Sequence, residues 1–416
     1  MMLVPTRREM LKLAGSAAAL GFISPVLAHE FPYMRRGINL HHLLNWPDVK
    51  KSAGKLEYSW PPFQGAHYQI KDQELHNLVR MGFDFVRVTV DPSIFIVMQD
   101  DSSGEKQTVL VNRLKNTVKQ CLATGLKVIV DLHPVNVNQA YKPEALVDPN
   151  LPQTFNAYVD MVGGVAKALA EFPPTKVAFE PMNEPWIKNM SEAPRWQPML
   201  EQLHAKARSA APHLPLILTG MYWGDYRALL KLDTKPFKSS NVLYTFHYYD
   251  PHSFTHQGVE GDDAQYLSKI DWPLMQSQAV DASSRAEMAI KTSNQSEPSK
   301  IKAKIRSEQL IQSLWKDGYN EQRIEKDFAA VATWAKENSV AHERILLGEF
   351  GCVVSARGEP VGQSRLIWLA KVCKTAEQNG FPWAYWSYKG YGGMELMDKK
   401  EQIDPELVLA LGLRAF

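Results

Sequence analysis

Between residues 36 and 386, short apolar runs rich in β-branched and aromatic residues alternate with longer stretches in which apolar side chains return every three or four positions. The short runs are Arg36–Leu40, Phe85–Thr89, Lys127–Leu132, Val177–Glu180, Pro215–Thr219, Val242–Phe246, Ile345–Glu349 and Phe381–Trp386. Their length and near-continuous apolarity predict strands buried on both faces. The stretches between them, such as "DQELHNLVRMG", "FNAYVDMVGGVAKALAEF" and "SRLIWLAKVCKTAEQNG", have the period of amphipathic helices. Gly82, Gly125 and Gly380 stand where three of those helices should stop ahead of the next strand. Eight strand-then-helix units predict a (β/α)8 TIM barrel. The competing open, doubly wound sheet lacks a glycine-rich dinucleotide loop after an early strand.

One connection breaks the rhythm. From Asp250 to the helix near Glu321 run about seventy residues, far more than an ordinary barrel loop, which predicts an insertion between strand 6 and strand 7 at about 252–320. Within it "AQYLSKIDWPLMQSQAV" has enough apolar residues to pack, whereas "TSNQSEPSKIKAKIRSEQ" reads as solvated. An insertion here stands on the face where barrels keep their chemistry, as a wall of a cleft or as a surface excursion.

The first segment reads otherwise. Arg7 and Arg8 precede a run of small apolar residues that ends in Val26-Leu27-Ala28, a pattern of a twin-arginine-type signal peptide over 1–28. The expected partner is the twin-arginine export machinery, and the expected destination is periplasmic or secreted. Residues 29–416 then form one domain. Without the signal the formal charge falls from +2 to zero, so bulk attraction to nucleic acid is not expected. No later apolar run is long enough to anchor the mature chain in a bilayer. Cys121, Cys352 and Cys373 have no metal-ligand spacing and read as buried thiols.

In a parallel barrel the reactive groups stand where strands end. There the sequence turns polar: Arg87 in strand 2, His133 after strand 3, Asn183 and Glu184 after strand 4, His247 and Tyr249 after strand 6, Glu349 ending strand 7 and Trp386 ending strand 8. Two glutamates from strands 4 and 7 would meet across the barrel mouth and supply the carboxyl pair that glycoside hydrolysis requires. Taken singly each residue has a plainer explanation. Arg87 could pair with Asp84 or Asp131, the histidines could be structural, Trp386 could be core, and Glu180 reads as a buried polar contact.

Taken jointly they resemble glycoside hydrolase family 5, the cellulase-type barrels. Asn183-Glu184-Pro185 resembles its acid/base motif and Gly348-Glu349-Phe350-Gly351 its nucleophile motif, and the likeness covers nearly all of residues 34–416. The resemblance implies that Glu184 acts as acid and then base and that Glu349 attacks the anomeric carbon. It implies that Tyr249 and Arg87 hold Glu349, that Asn183 reaches the sugar 2-hydroxyl, that His133 and His247 bind hydroxyls or steady the glutamates, and that Trp386 is the floor beneath the sugar. Aromatic residues near strand ends, Trp46, Trp60, Trp186, Tyr222, Trp223, Tyr388 and Tyr391, are expected to line the cleft in about half the cases. Trp46, Trp186, Trp223, His41 and His42 are the substrate-binding candidates among them and the neighbouring "NLHHLLNW". The implied activity is a retaining endo-β-1,4-glucanase without metal or cofactor, acting on a β-linked polysaccharide or oligosaccharide. β-Mannanase, β-1,3-glucanase and an exopolysaccharide-processing or binding barrel are the alternatives. A metal-dependent barrel hydrolase would need a paired ligand spacing that is lacking here.

Overall fold

The computed structural model describes residues 33–415 apart from 53, 54, 188, 239, 240, 275–277 and 391. The signal-like segment with Arg7 and Arg8, and Tyr391, lie outside the described residues. Eight parallel strands close a barrel in sequence order: β1 (Arg36–Leu44), β2 (Phe85–Val90), β3 (Lys127–Leu132), β4 (Val177–Glu180), β5 (Leu216–Thr219), β6 (Val242–His247), β7 (Ile345–Phe350) and β8 (Trp383–Tyr385). All eight predicted strands are present. The first runs four residues further than the sequence pattern indicated.

Among the described residues eight helices of ten or more residues accompany them: α1 (Asp72–Met81), α2 (Glu105–Ala123), α3 (Pro152–Leu169), α4 (Ala193–Ala210), α5 (Ala279–Lys291), α6 (Glu297–Lys316), α7 (Glu321–Glu337) and α8 (Gln363–Gln378). At the end of α1, Gly82 takes φ 110°, a left-handed value that a glycine adopts without a Cβ clash.

Strand alternation explains the barrel interior. Phe85, Ile129, Ala178, Ile217, Leu243, Leu346 and Ala384, one from each of β2 to β8, form a closed apolar layer with Met34. β1 supplies Gly37 at that level, because a Cβ there would run into the Phe85 ring. Two residues further along, the same inward face carries Asn39, Arg87, Asp131, Glu180, Thr219 and Thr245, all buried. The core thus changes from apolar to polar in one step of the pleat. The other face of each strand packs its apolar residues under the helices.

The described residues between β6 and β7 form helices and packed turns. The first part packs down: Phe254, Ala264, Leu267, Ile270 and Trp272 are buried. Beyond it α5 and α6 form a helical pair joined by Lys304 to Glu287 at 2.6 Å, and Arg306 ties α6 to Asp263 at 2.6 Å. The stretch expected to be solvated is therefore mostly helix, with Ile301 and Ile305 on its open side.

Candidate active site

Arg87 is the hub of the polar layer. Fully buried, its guanidinium donates to Glu180 (2.8 and 3.0 Å), to Glu349 Oε1 (2.7 Å), to Asn39 Oδ1 (2.9 Å) and to Asn183 Oδ1 (2.7 Å), and pairs with Asp131 at 3.0 Å. Of the two alternatives for its partner, Asp131 is present. Asp84 instead accepts from the backbone of Arg35 and Arg36 and pairs with Lys127. Three carboxyls around one cation cannot all be charged cheaply away from water. Burial accordingly pushes Asp131 up to about 7 against the pull of Arg87, and raises Glu180 as well.

Glu349 occupies the inner seat, with its side chain 4% exposed. Strict alternation would point it outward, since Leu346 and Gly348 face the barrel interior. The register of β7 slips against both neighbours, at Phe246/His247 and at Trp383/Tyr385, and that irregularity turns Glu349 into the mouth. Gly348 is required beside it, because a Cβ there would lie 2.5 Å from Thr245 Oγ1 and 3.2 Å from His247 Nε2. Glu349 Oε1 accepts from Arg87 and Oε2 from the Tyr249 hydroxyl at 3.0 Å. Burial beside Glu349 raises the Tyr249 pKa well above its usual value, so the hydroxyl keeps its proton and remains a donor.

Glu184 sits differently. It follows β4 on a turn with φ 39°, its side chain is 26% exposed, and its Oε1 lies 2.7 Å from His247 Nδ1. Burial pushes its carboxyl up to about 8, and burial opposed by His247 and Arg87 puts Glu349 at about 7. The order follows from the contacts: a guanidinium and a hydroxyl hold the Glu349 anion, whereas Glu184 has one imidazole, whose proton affinity burial lowers. Ligand atoms of Glu184, His247 and Glu349 all lie within 4.8 Å of one another. Among the described residues this is the one set spaced to hold a cation, but the Arg87 charge against Glu349 opposes it.

Three further candidates stand around this pair. His133 Nδ1 lies 2.8 Å from Asp131, and its Nε2 is 3.4 Å from the Asn183 amide; burial keeps the ring neutral. Asn183 therefore has its oxygen on Arg87 and its NH2 toward His133 and the mouth. Trp386 is 7% exposed, stacked on His133 at 5.4 Å and tilted on His41 at 4.7 Å.

Two clefts open from here. One, about 170 Å³, is lined by His133, Asn136, Asn183, Glu184, Trp186 and Trp223 among others. The other, about 660 Å³, is lined by His41, His42, Asn45, Trp46, Tyr68 and Lys389 among others. His41 has both ring nitrogens engaged, by Thr89 and by the Trp46 indole, each at 2.9 Å, so it positions Trp46. His42 is held neutral, pushed down to about 3 by burial. Trp60 lies instead beside Lys106, and Tyr388 is buried with its hydroxyl on Glu74.

Several supporting residues were not singled out from sequence. Asn39 bonds Arg87 and the carbonyls of Gly348 and Tyr385; a polar residue inside an apolar strand was the available signal. Thr255, whose hydroxyl donates to the Tyr249 carbonyl at 2.7 Å, and His256, whose ring edge meets Tyr249 at 4.9 Å, come from the insertion and gave no such signal.

The model of the family described as Cellulase (glycosyl hydrolase family 5) matches residues 46–392. Endoglucanase 3 of Fibrobacter succinogenes is 23% identical over 388 residues, which are 90% of this chain and 52% of that protein. Endoglucanase C of Acetivibrio thermocellus is 23% identical over 359 residues, 85% of this chain and 94% of its own. This chain thus spans about half the length of the Fibrobacter relative. A hyperthermophilic endo-β-1,4-glucanase solved in complex with substrate superposes with a TM-score of 0.63 at 24% identity, covering 91% of this chain and 97% of that one, a likeness of fold.

Proposed function

The chain belongs to the cellulase family, glycosyl hydrolase family 5, and on that premise we propose that it is a retaining β-glycanase, an endo-β-1,4-glucanase, with Glu349 as nucleophile and Glu184 as acid/base. The observation that carries this reading is the carboxyl pair, with ligand oxygens within 4.8 Å. Retaining enzymes hold their carboxyls about 5–5.5 Å apart, and inverting ones need about 6.5–9.5 Å to admit water.

The chemistry follows from the contacts. Glu184, neutral below about 8, protonates the leaving oxygen while Glu349, ionised under Arg87 and Tyr249, attacks the anomeric carbon. A covalent glycosyl-enzyme forms. Glu184, now a carboxylate, takes a proton from water, and that water releases the sugar from Glu349 with net retention. His247 steadies Glu184, Asn183 presents its amide NH2 to the 2-hydroxyl, Trp386 is the apolar floor at the cleavage point, and Trp46, held by His41, lines the larger cleft. Because Glu184 serves the leaving oxygen, the smaller cleft with Trp186 and Trp223 takes the departing sugar.

The test is the anomeric configuration of the first product from a β-1,4-gluco-oligosaccharide, followed by NMR, with a reducing-sugar screen over β-glucans and galactomannan. Retention and preferred glucan cleavage are expected; an inverted product would overturn the mechanism, and dominant mannan cleavage the substrate.

The chain is also proposed to be exported through the twin-arginine machinery, on the pattern of residues 1–28. Among the described residues no helix is long and apolar enough to cross a membrane. Replacing Arg7 and Arg8 together by lysine should leave active precursor in the cytoplasm, and normal export of that variant would point to another route.

A further inference from the structure

The smaller cleft contains an acidic side chain to which the mechanism gives no task. Glu144 follows Pro143 in the connection after β3 and lines the cleft together with Asn136, Glu184, Trp186 and Trp223. Its Oε2 is shielded from solvent and has no hydrogen-bond partner. A shielded carboxylate oxygen left without a donor destabilises the fold rather than supporting it.

Its surroundings suggest what completes it. Trp186 and Trp223 meet edge to face, with ring centroids 6.0 Å apart and planes at 85°, and so form an apolar corner beside Glu184 in which the exposed Trp223 indole is open to a ligand. A sugar ring has an apolar face suited to such a surface and a rim of hydroxyls that need acceptors. Asn136 and Glu144 are polar groups on the same wall, and Glu144 is the acceptor with capacity to spare. Rotation about the last torsion of the side chain, which is soft, can present either carboxylate oxygen to the cleft.

We propose that Glu144 is a specificity-determining residue of the leaving-sugar site, accepting hydrogen bonds from the hydroxyls of a neutral hexosyl unit that rests on Trp186 and Trp223. This rests on the glycoside hydrolase reading above and deepens it. Glu144 touches no reacting atom. Its effect is confined to substrates whose leaving group is a sugar.

The experiment compares two leaving groups on the whole enzyme. Cellopentaose departs as a sugar with hydroxyls. 4-Nitrophenyl β-cellobioside departs as a nitrophenolate that can rest on the indoles but offers Glu144 no donor. Glu144→Leu should lower kcat/KM on cellopentaose by about tenfold or more, the worth of hydrogen bonds to a charged acceptor. On the aryl glycoside the same variant should stay within about twofold of the unsubstituted enzyme, which also shows that it is folded. Glu144→Gln keeps one acceptor oxygen and should fall between. Equal losses on both substrates would overturn the proposal in favour of a structural role, and an undiminished rate on cellopentaose would overturn it outright. If the unsubstituted enzyme cleaves neither substrate, the functional reading itself fails, which is a different outcome from active enzyme with indifferent variants.

Discussion

Glu349 is held inside the barrel wall, and Glu184 stands on the turn beyond it. Glu349 has both oxygens engaged, one by a guanidinium and one by a tyrosine hydroxyl, and its side chain is 4% exposed. Glu184 is held by His247 and has a left-handed backbone and a side chain 26% exposed. In the proposed mechanism the inner seat would fix a carboxylate where an anomeric carbon can be attacked. The outer seat would leave a carboxyl room to give a proton and take it back. Chemically identical side chains are thus set apart because one is surrounded by donors and the other is not.

The most severe way to break this contrast is to delete each carboxyl. Glu349→Ala should lose turnover by a factor on the order of 10⁴ or more, and azide in the vacated space should give the inverted glycosyl azide. Glu184→Ala should be as poor on polysaccharide but should still be glycosylated by an aryl glycoside with a good leaving group. The covalent sugar should then accumulate, be visible by intact mass and map to the peptide holding Glu349; azide should release a product with retained configuration. A label mapping elsewhere would reverse the roles.

Removing the shared cation tests the inner seat alone. Arg87→Met would leave Asp131, Glu180 and Glu349 buried without their counter-charge, a loss on the order of 3–5 kcal/mol. The loss should grow with pH, because all three carboxyls are raised in the fold, and Asp131 and Glu349 must surrender their protons as the pH climbs through about 7. Melting curves at pH 5 and pH 8 check this; a loss independent of pH would assign Arg87 a packing role only.

Trp386→Ala should lower activity by more than about tenfold with the fold intact, as expected of a sugar floor shared by both carboxyls. An unchanged rate would make Trp386 core.

The smallest expected effect concerns the outer seat. A carboxyl whose folded pKa is raised contributes stability that is fully present below the unfolded value and is lost as pH rises through the folded one. For Glu184 that window runs from its ordinary 4.5 to about 8. The neutral isostere in Glu184→Gln escapes the loss, so above pH 8 it should melt higher than the unsubstituted protein by roughly 2 °C or more, with the gap closing toward pH 4. Activity of the unsubstituted enzyme should fall above about 8 as Glu184 deprotonates and below about 7 as Glu349 protonates. A melting gap that persists at pH 4 would place the effect outside titration.

The strands, their order and the polar residues at their ends were legible in the sequence because they depend on local alternation. With a period of two, the chain that places Phe85, Ile129 and Ala178 in the apolar layer must place Arg87, Asp131 and Glu180 in the layer above. The eight-residue constellation was legible too, since its members lie in, end or follow six of the eight strands. The orientation of Glu349 did not follow, because alternation points it outward and only the register slip of β7 against β6 and β8 turns it in. Nor did the supports of Tyr249, which come from Thr255 and His256 in an insertion with no periodicity to read. The bonds of His41 to Thr89 and Trp46 likewise join residues that no local pattern pairs. Sequence thus determined which groups reach the barrel mouth. Tertiary structure decided their direction, their partners and their proton affinities, because those depend on distances between residues as far apart in the chain as Arg87 and Glu349.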